Sequence, residues 1–102
     1  MHTVIAALAH PIMRRAASVG AGNLRREAPI LVRREDGTLI EGILDLAFRE
    51  EAAEFTGWTV VDFKTDREFE LSRDGYTAQV GLYVSAIEKA TNSSAAGILL
   101  VI

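Results

Sequence analysis

The segment WTVVDFKT, residues 58–65, constrains this chain more than any other. Val60 and Val61 are adjacent and apolar, so a β-strand there sends hydrophobic side chains to both of its faces. Such a strand has to be covered on both sides, which predicts a sheet interior with helices packed against it. The same strand ends in Asp62 and Lys64, which the two-residue period puts on one face, with Phe63 on the other. A charge in so apolar a setting is costly unless it is paired or coordinates something. Asp62 and Lys64 therefore either neutralise each other at a strand end or share a task.

The flanking sequence supplies the rest of the sheet. In EAPILVRREDGTLIEGILDLAFRE, residues 27–50, two apolar runs flank Asp36-Gly37, a strong hairpin signal. Alternation in the second arm predicts Ile43, Asp45 and Ala47 on one face and Leu44, Leu46 and Phe48 on the other. EEAAEFTG, residues 50–57, is read as a loop, and DREFELSRDG, residues 66–75, as a charged connection. From Tyr76 to about Ala90 a stripe of Tyr76, Val80, Tyr83, Val84 and Ile87 predicts a helix. TNSS then breaks it, and AAGILLVI forms a last strand. At the other end, Ile5, Leu8, Ile12 and Val19 predict a helical first twenty residues, broken near His10 and restarted at Pro11, with GAGN as the stop. The order is αβββαβ. A strand, helix, strand sequence implies a crossover and a parallel pair, so the expected fold is α/β with a central mixed sheet flanked by helices.

Length and composition bound the function. One hundred and two residues suit one small domain, and 49% hydrophobic with 25% charged is ordinary for a globular chain. The net charge of −3 provides no general basic field for nucleic acid or anionic membrane, so a polyanion has to be held by local charges, metal or neighbouring domains. The absence of cysteine excludes disulfides, thiolate zinc sites and cysteine nucleophiles, and fits a reducing, cytoplasmic setting. The apolar start, MHTVIAALA, is too short to span a membrane and lacks the basic n-region of a signal peptide. A final strand running to the last residue suggests a domain cut from a longer polypeptide.

If the second hairpin arm pairs with the 58–65 strand, Asp45 comes beside Asp62. Two carboxylates and an ammonium then sit together at one end of a buried sheet. Hard divalent cations such as Mg²⁺ or Mn²⁺ take oxygen ligands and keep several waters, so two carboxylates and a main-chain carbonyl suffice. A lysine beside them can help activate water or stabilise charge on a phosphate. Each residue has a plainer reading: Asp62 with Lys64 as a strand-end ion pair, Asp45 as a solvated edge residue, Tyr83 as core. Gln79 and Tyr83, four apart on one helix face, add a third element to the pattern.

Taken together, GILD on one strand, DFKT on the next and QVGLY on the following helix resemble the RecB-like nuclease domains of the PD-(D/E)XK superfamily. The likeness is greatest to those at the C-terminus of AddA-like and UvrD-like helicase–nuclease subunits. That family carries Gly-x-x-Asp, then Asp-x-Lys-Thr, then Gln-x-x-x-Tyr. Gly42 and Asp45, then Asp62, Lys64 and Thr65, then Gln79 and Tyr83 match in order. AHPIMRRA and RREAPI are similar to the segments leading into the hairpin, so the likeness runs from about Leu8 to Val101. It implies a restriction-endonuclease-like core, with Asp45, Asp62 and the Phe63 main-chain carbonyl as metal ligands. It further implies a catalytic Lys64, with Gln79 and Tyr83 lining the site or its DNA approach. The family's upstream histidine is not matched, since His10 falls in a non-catalytic stretch and no motif places His2. Glu27 is an alternative acidic ligand, though its strand position suits a salt bridge with an arginine.

The resemblance implies a Mg²⁺-dependent exodeoxyribonuclease domain acting in DNA end processing for recombination and repair. Its partners would be DNA, helicase domains of a parent chain and a second subunit, with no membrane. No P-loop motif is present in these residues. Two other readings stand beside it: a nuclease-like module that guides DNA without catalysis, and a small α/β interaction module that matches the motifs by accident.

Overall fold

The computed structural model describes residues 3–6 and 9–102. In chain order the elements are strand β1 (Thr3–Ala6), helix α1 (Ala9–Ser18), a 3₁₀ turn (Ala21–Asn23), β2 (Leu24–Arg33), β3 (Leu39–Glu51), β4 (Thr56–Lys64), helices α2 (Asp66–Leu71) and α3 (Arg73–Thr91), and β5 (Ala95–Val101). The five strands form one sheet in the order β1-β5-β4-β3-β2. β4 pairs antiparallel with β3 and parallel with β5. The sheet is therefore mixed, and β4 is its central strand, as the double-sided valines require. No described helix is long and apolar enough to cross a membrane.

Helices cover both faces. On one, Val60 of β4 packs with Leu44, Ala47 and Leu99 against Val80, Tyr83 and Val84 of α3. On the other, Val61 packs with Leu46, Phe48, Ile98 and Leu100 against Ile12 and Ala16 of α1. A bidentate contact from Arg15 to Glu50, at 2.7 and 3.3 Å, ties α1 to β3. The β2–β3 hairpin turns at Asp36-Gly37 as expected. Gly37 has φ +87° and donates its N–H to the Arg34 carbonyl, while Asp36 Oδ1 accepts from the Thr38 N–H. A left-handed φ at that position is why glycine stands there.

Four expectations need correction. Thr3–Ala6 is not helical; it is an edge strand parallel to β5, with Thr3 opposite Gly97, and helix starts only at Ala9 with Pro11 in its first turn. Leu8 and His2 lie outside the described residues. The supposed 50–57 loop is shorter, because β3 runs to Glu51 and β4 starts at Thr56. The charged connection contains α2, whose N-cap Thr65 and residue Glu68 form a capping box. Finally, strict alternation in β3 fails: Leu44 packs on the α3 side, whereas Leu46 and Phe48 pack on the α1 side.

The cause of that last difference lies on a single rung. β2–β3 pairing runs Arg26↔Leu46 and Ala28↔Leu44, leaving Glu27 and Asp45 opposite each other without a ladder pair. Glu27 takes φ +46°, a left-handed conformation that rotates the strand between its neighbours. Leu24 accordingly packs on the α1 side, while Ala28 and Ile30 pack on the α3 side. Both strands change face together. Glu27 is exposed, and among the described residues it enters no ion pair, so the expected salt bridge with an arginine is not formed.

Candidate functional site

The change of face gives Asp45 its position. β3–β4 pairing is regular from Glu51↔Thr56 up to Leu46↔Val61 and then stops. At the next rung the Asp45 side chain replaces the ladder, and its Oδ2 accepts the Phe63 main-chain N–H at 2.8 Å. The carboxylate thus lies along the sheet edge of β4 rather than above a face. Within one strand residue the N–H and C=O point to the same side. The Phe63 carbonyl accordingly faces Asp45, while the neighbouring Lys64 carbonyl faces β5 and accepts the Ile102 N–H at 2.8 Å.

Asp62 and Lys64 share the α3 side of β4, with Phe63 packed on the α1 side, as the period predicts. Lys64 Nζ lies 2.9 Å from Asp62 Oδ2, with the lysine side chain 15% exposed and the aspartate 7%. The ammonium is the partner of the buried Asp62 Oδ2 among the described residues. Burial raises the Asp62 pKa above the ordinary carboxylate value; Lys64 opposes this, and the adjacent Asp45 carboxylate reinforces it. Lys64 is held above its ordinary value: burial works against its charge, but Asp62, Asp45 and Glu68 outweigh it. The carboxylate pair and the ammonium are one electrostatic unit.

α3 closes the site from above. Tyr83 is buried, and its pKa is raised first by burial and then by Asp62, with Lys64 and the side chain of Gln79 acting in the opposite direction. Its hydroxyl lies over Gly42, where a Cβ would collide with the phenol. Gly42 thus makes room for the Tyr83 ring. Gln79 is exposed at the rim of the same helix face.

Tyr76 was legible only as one more apolar position in the α3 stripe. Its ring face lies 4.8 Å from Lys64 Nζ, making it part of the site. Thr65 has a defined task as well. Its hydroxyl accepts from the Glu68 N–H at 3.2 Å, and Glu68 accepts from the Thr65 N–H at 3.1 Å, which fixes the chain where it leaves Lys64. The Ser/Thr-x-x-Glu spacing in TDRE was the available signal.

The donors suit a hard divalent cation. A buried carboxylate, a second carboxylate beside it and a main-chain carbonyl facing the same rung are oxygen ligands of the kind Mg²⁺ takes. Among the described residues no group of three or more His, Cys, Asp or Glu side chains converges, so the side-chain set is two carboxylates. His10 falls in the first turn of α1. An open groove of about 1190 Å³, between the tip of β2 and α3, includes Val32, Arg34, Leu82 and Lys89 but none of Asp45, Asp62 and Lys64. No protein-family model, curated protein or solved structure matched the chain.

Proposed function

We propose that this chain is a metal-dependent nuclease domain that hydrolyses DNA phosphodiester bonds. The observation that carries the reading is the buried Asp62 carboxylate, with Asp45 on the adjacent strand and Lys64 at 2.9 Å. Asp45 and Asp62 would hold Mg²⁺ or Mn²⁺, together with the Phe63 carbonyl. When bound, the cation supplies Lewis-acid activation of phosphate and water. Lys64 keeps a charged proton donor beside the carboxylates and stabilises negative charge developing on a phosphoryl oxygen. Tyr83 and Gln79 border the approach to these groups from α3. Exonucleolytic action within a cytoplasmic helicase–nuclease, with helicase domains and a second subunit as partners, belongs to the same proposal and rests on the motif resemblance.

A second reading is favoured by the 2.9 Å distance itself: Asp62 and Lys64 as a structural ion pair in a DNA-guiding module without catalysis. Magnesium separates the two. A ligand present at one hundred times its Kd stabilises a folded protein by about 2.7 kcal/mol. Residues 1–102 are expected to gain that stability in Mg²⁺, measured by thermal melting, and to lose the gain in Asp62→Asn. Binding should weaken as pH falls, because the carboxylates have to be ionised to hold metal. Cleavage of linear DNA by these residues alone is expected to be weak, since the matched motifs lack the family's histidine. A wild-type melt indifferent to Mg²⁺ at every concentration would leave the structural ion pair as the answer.

A further inference from the structure

Lys64 has two neighbours of different kinds. Asp62 offers a charge at 2.9 Å, and Tyr76 offers a ring face 4.8 Å from the same ammonium. The nuclease reading, on which this inference rests, makes Asp62 a cation ligand. The charges of Asp62 and Asp45 would then be drawn toward the metal, and of the acids beside the ammonium only the exposed Glu68 would remain uncommitted. An aromatic face attracts an ammonium without competing for the cation's oxygen ligands. We propose that Tyr76 is the positioning residue for Lys64, holding the ammonium at the carboxylate pair when a divalent cation occupies it.

The local fold builds this arrangement. Lys64 ends β4, and the Thr65–Glu68 capping box starts α2 at the next residue. Ser72 links α2 to α3, and its carbonyl accepts the Tyr76 N–H at 3.1 Å in the first turn of α3. The chain thereby doubles back through α2 and brings Tyr76 over the lysine at the end of β4. Tyr76 is half-buried and packs against the α3-side core, along with Phe69 of α2. The ring is therefore held by its surroundings, and the ammonium rests on a fixed surface.

The chain has two lysines, Lys64 and the exposed Lys89, so selective ¹³C labelling at lysine Cε gives two signals with an internal reference. In wild type the two Lys64 ε-methylene protons should be inequivalent, shifted upfield of Lys89 by the ring, and show nuclear Overhauser contacts to Tyr76. Tyr76→Phe keeps the ring and should retain both features. Tyr76→Leu should bring Lys64 to the Lys89 position while core methyl signals show the fold intact. With saturating Mg²⁺, the upfield shift should persist in wild type and Tyr76→Phe. A Lys64 signal that already resembles Lys89 in wild type, or inequivalence that survives in Tyr76→Leu, would overturn the proposal. So would a return of Lys64 to the Lys89 position on adding Mg²⁺. The wild-type and Tyr76→Phe spectra decide the matter even if Tyr76→Leu does not fold. Absence of Mg²⁺ binding by calorimetry would end the nuclease reading and the metal-dependent half of the proposal. The metal-free spectra would still decide whether Tyr76 holds Lys64.

Discussion

Lys64→Met is expected to destabilise the metal-free chain by about 3 kcal/mol at neutral pH, because removing one partner leaves a buried charge uncompensated. Asp62 is 7% exposed and has Asp45 beside it, so its ionised form would face a second acid with no cation between them. The pH dependence identifies the cause. The Asp62 pKa is already raised in the folded protein, and loss of Lys64 removes a group that lowers it. A raised folded pKa favours the folded state below the unfolded value of about 3.9, an advantage lost as pH rises through the folded value. The variant should therefore recover stability on acidification. In wild type, Lys64 itself has a raised pKa, so its contribution holds below the unfolded value of about 10.4 and is lost at more alkaline pH. Urea denaturation at acidic, neutral and alkaline pH measures both effects. An equal deficit at each pH would assign the loss to packing rather than charge.

A second contrast tests the change of face in β3. Phe48 is fully buried on the α1 side, while Ile43, five residues earlier on the same strand, is 61% exposed. Phe48→Ala should cost about 3–5 kcal/mol by deleting a buried aromatic and leaving a cavity. Ile43→Ala should stay within about 0.5 kcal/mol, as surface substitutions do. Simple alternation would not have distinguished Leu44 from Leu46, yet the two pack under different helices. Comparable losses in the denaturation midpoints of the two variants would show that Ile43 is covered.

These particulars define what could be read from the sequence. β4 was legible because adjacent valines leave no alternative to double coverage, and that pattern also put Asp62 and Lys64 on one face. The hairpin was legible because Asp36-Gly37 encodes its turn locally, and α3 because its stripe is long and regular. β1 was not, since Thr3-Val4-Ile5-Ala6 is short and its sheet partner among the described residues is β5, far away in the chain. α2 has a capping box but no apolar stripe, so charge concealed it. Asp45 could be placed on the strand beside Asp62, but not in the edge of the sheet. That orientation coincides with the unpaired rung at Glu27, whose φ is +46°, and a two-residue period does not report it. Tyr76 needed the return of the chain through α2 before its ring could meet Lys64.

The pairing of β1 with β5 also sets the order in which this sheet can assemble. β2, β3 and β4 are consecutive and antiparallel, so each pairing closes a short loop. Among the described residues β1 pairs with β5 alone, and its four pairs, Thr3↔Gly97 to Ala6↔Leu100, join opposite ends of the described chain. Loop closure over such a separation costs more entropy than a hairpin, and four edge pairs offer little in return. The meander should therefore gain protection first in pulse-labelled hydrogen exchange, with β1 amides protected last, after β5 has docked. Simultaneous protection of β1 and the hairpin would contradict this order. During synthesis β1 would wait unpaired until β5 emerges, a period when β1 is open to other partners.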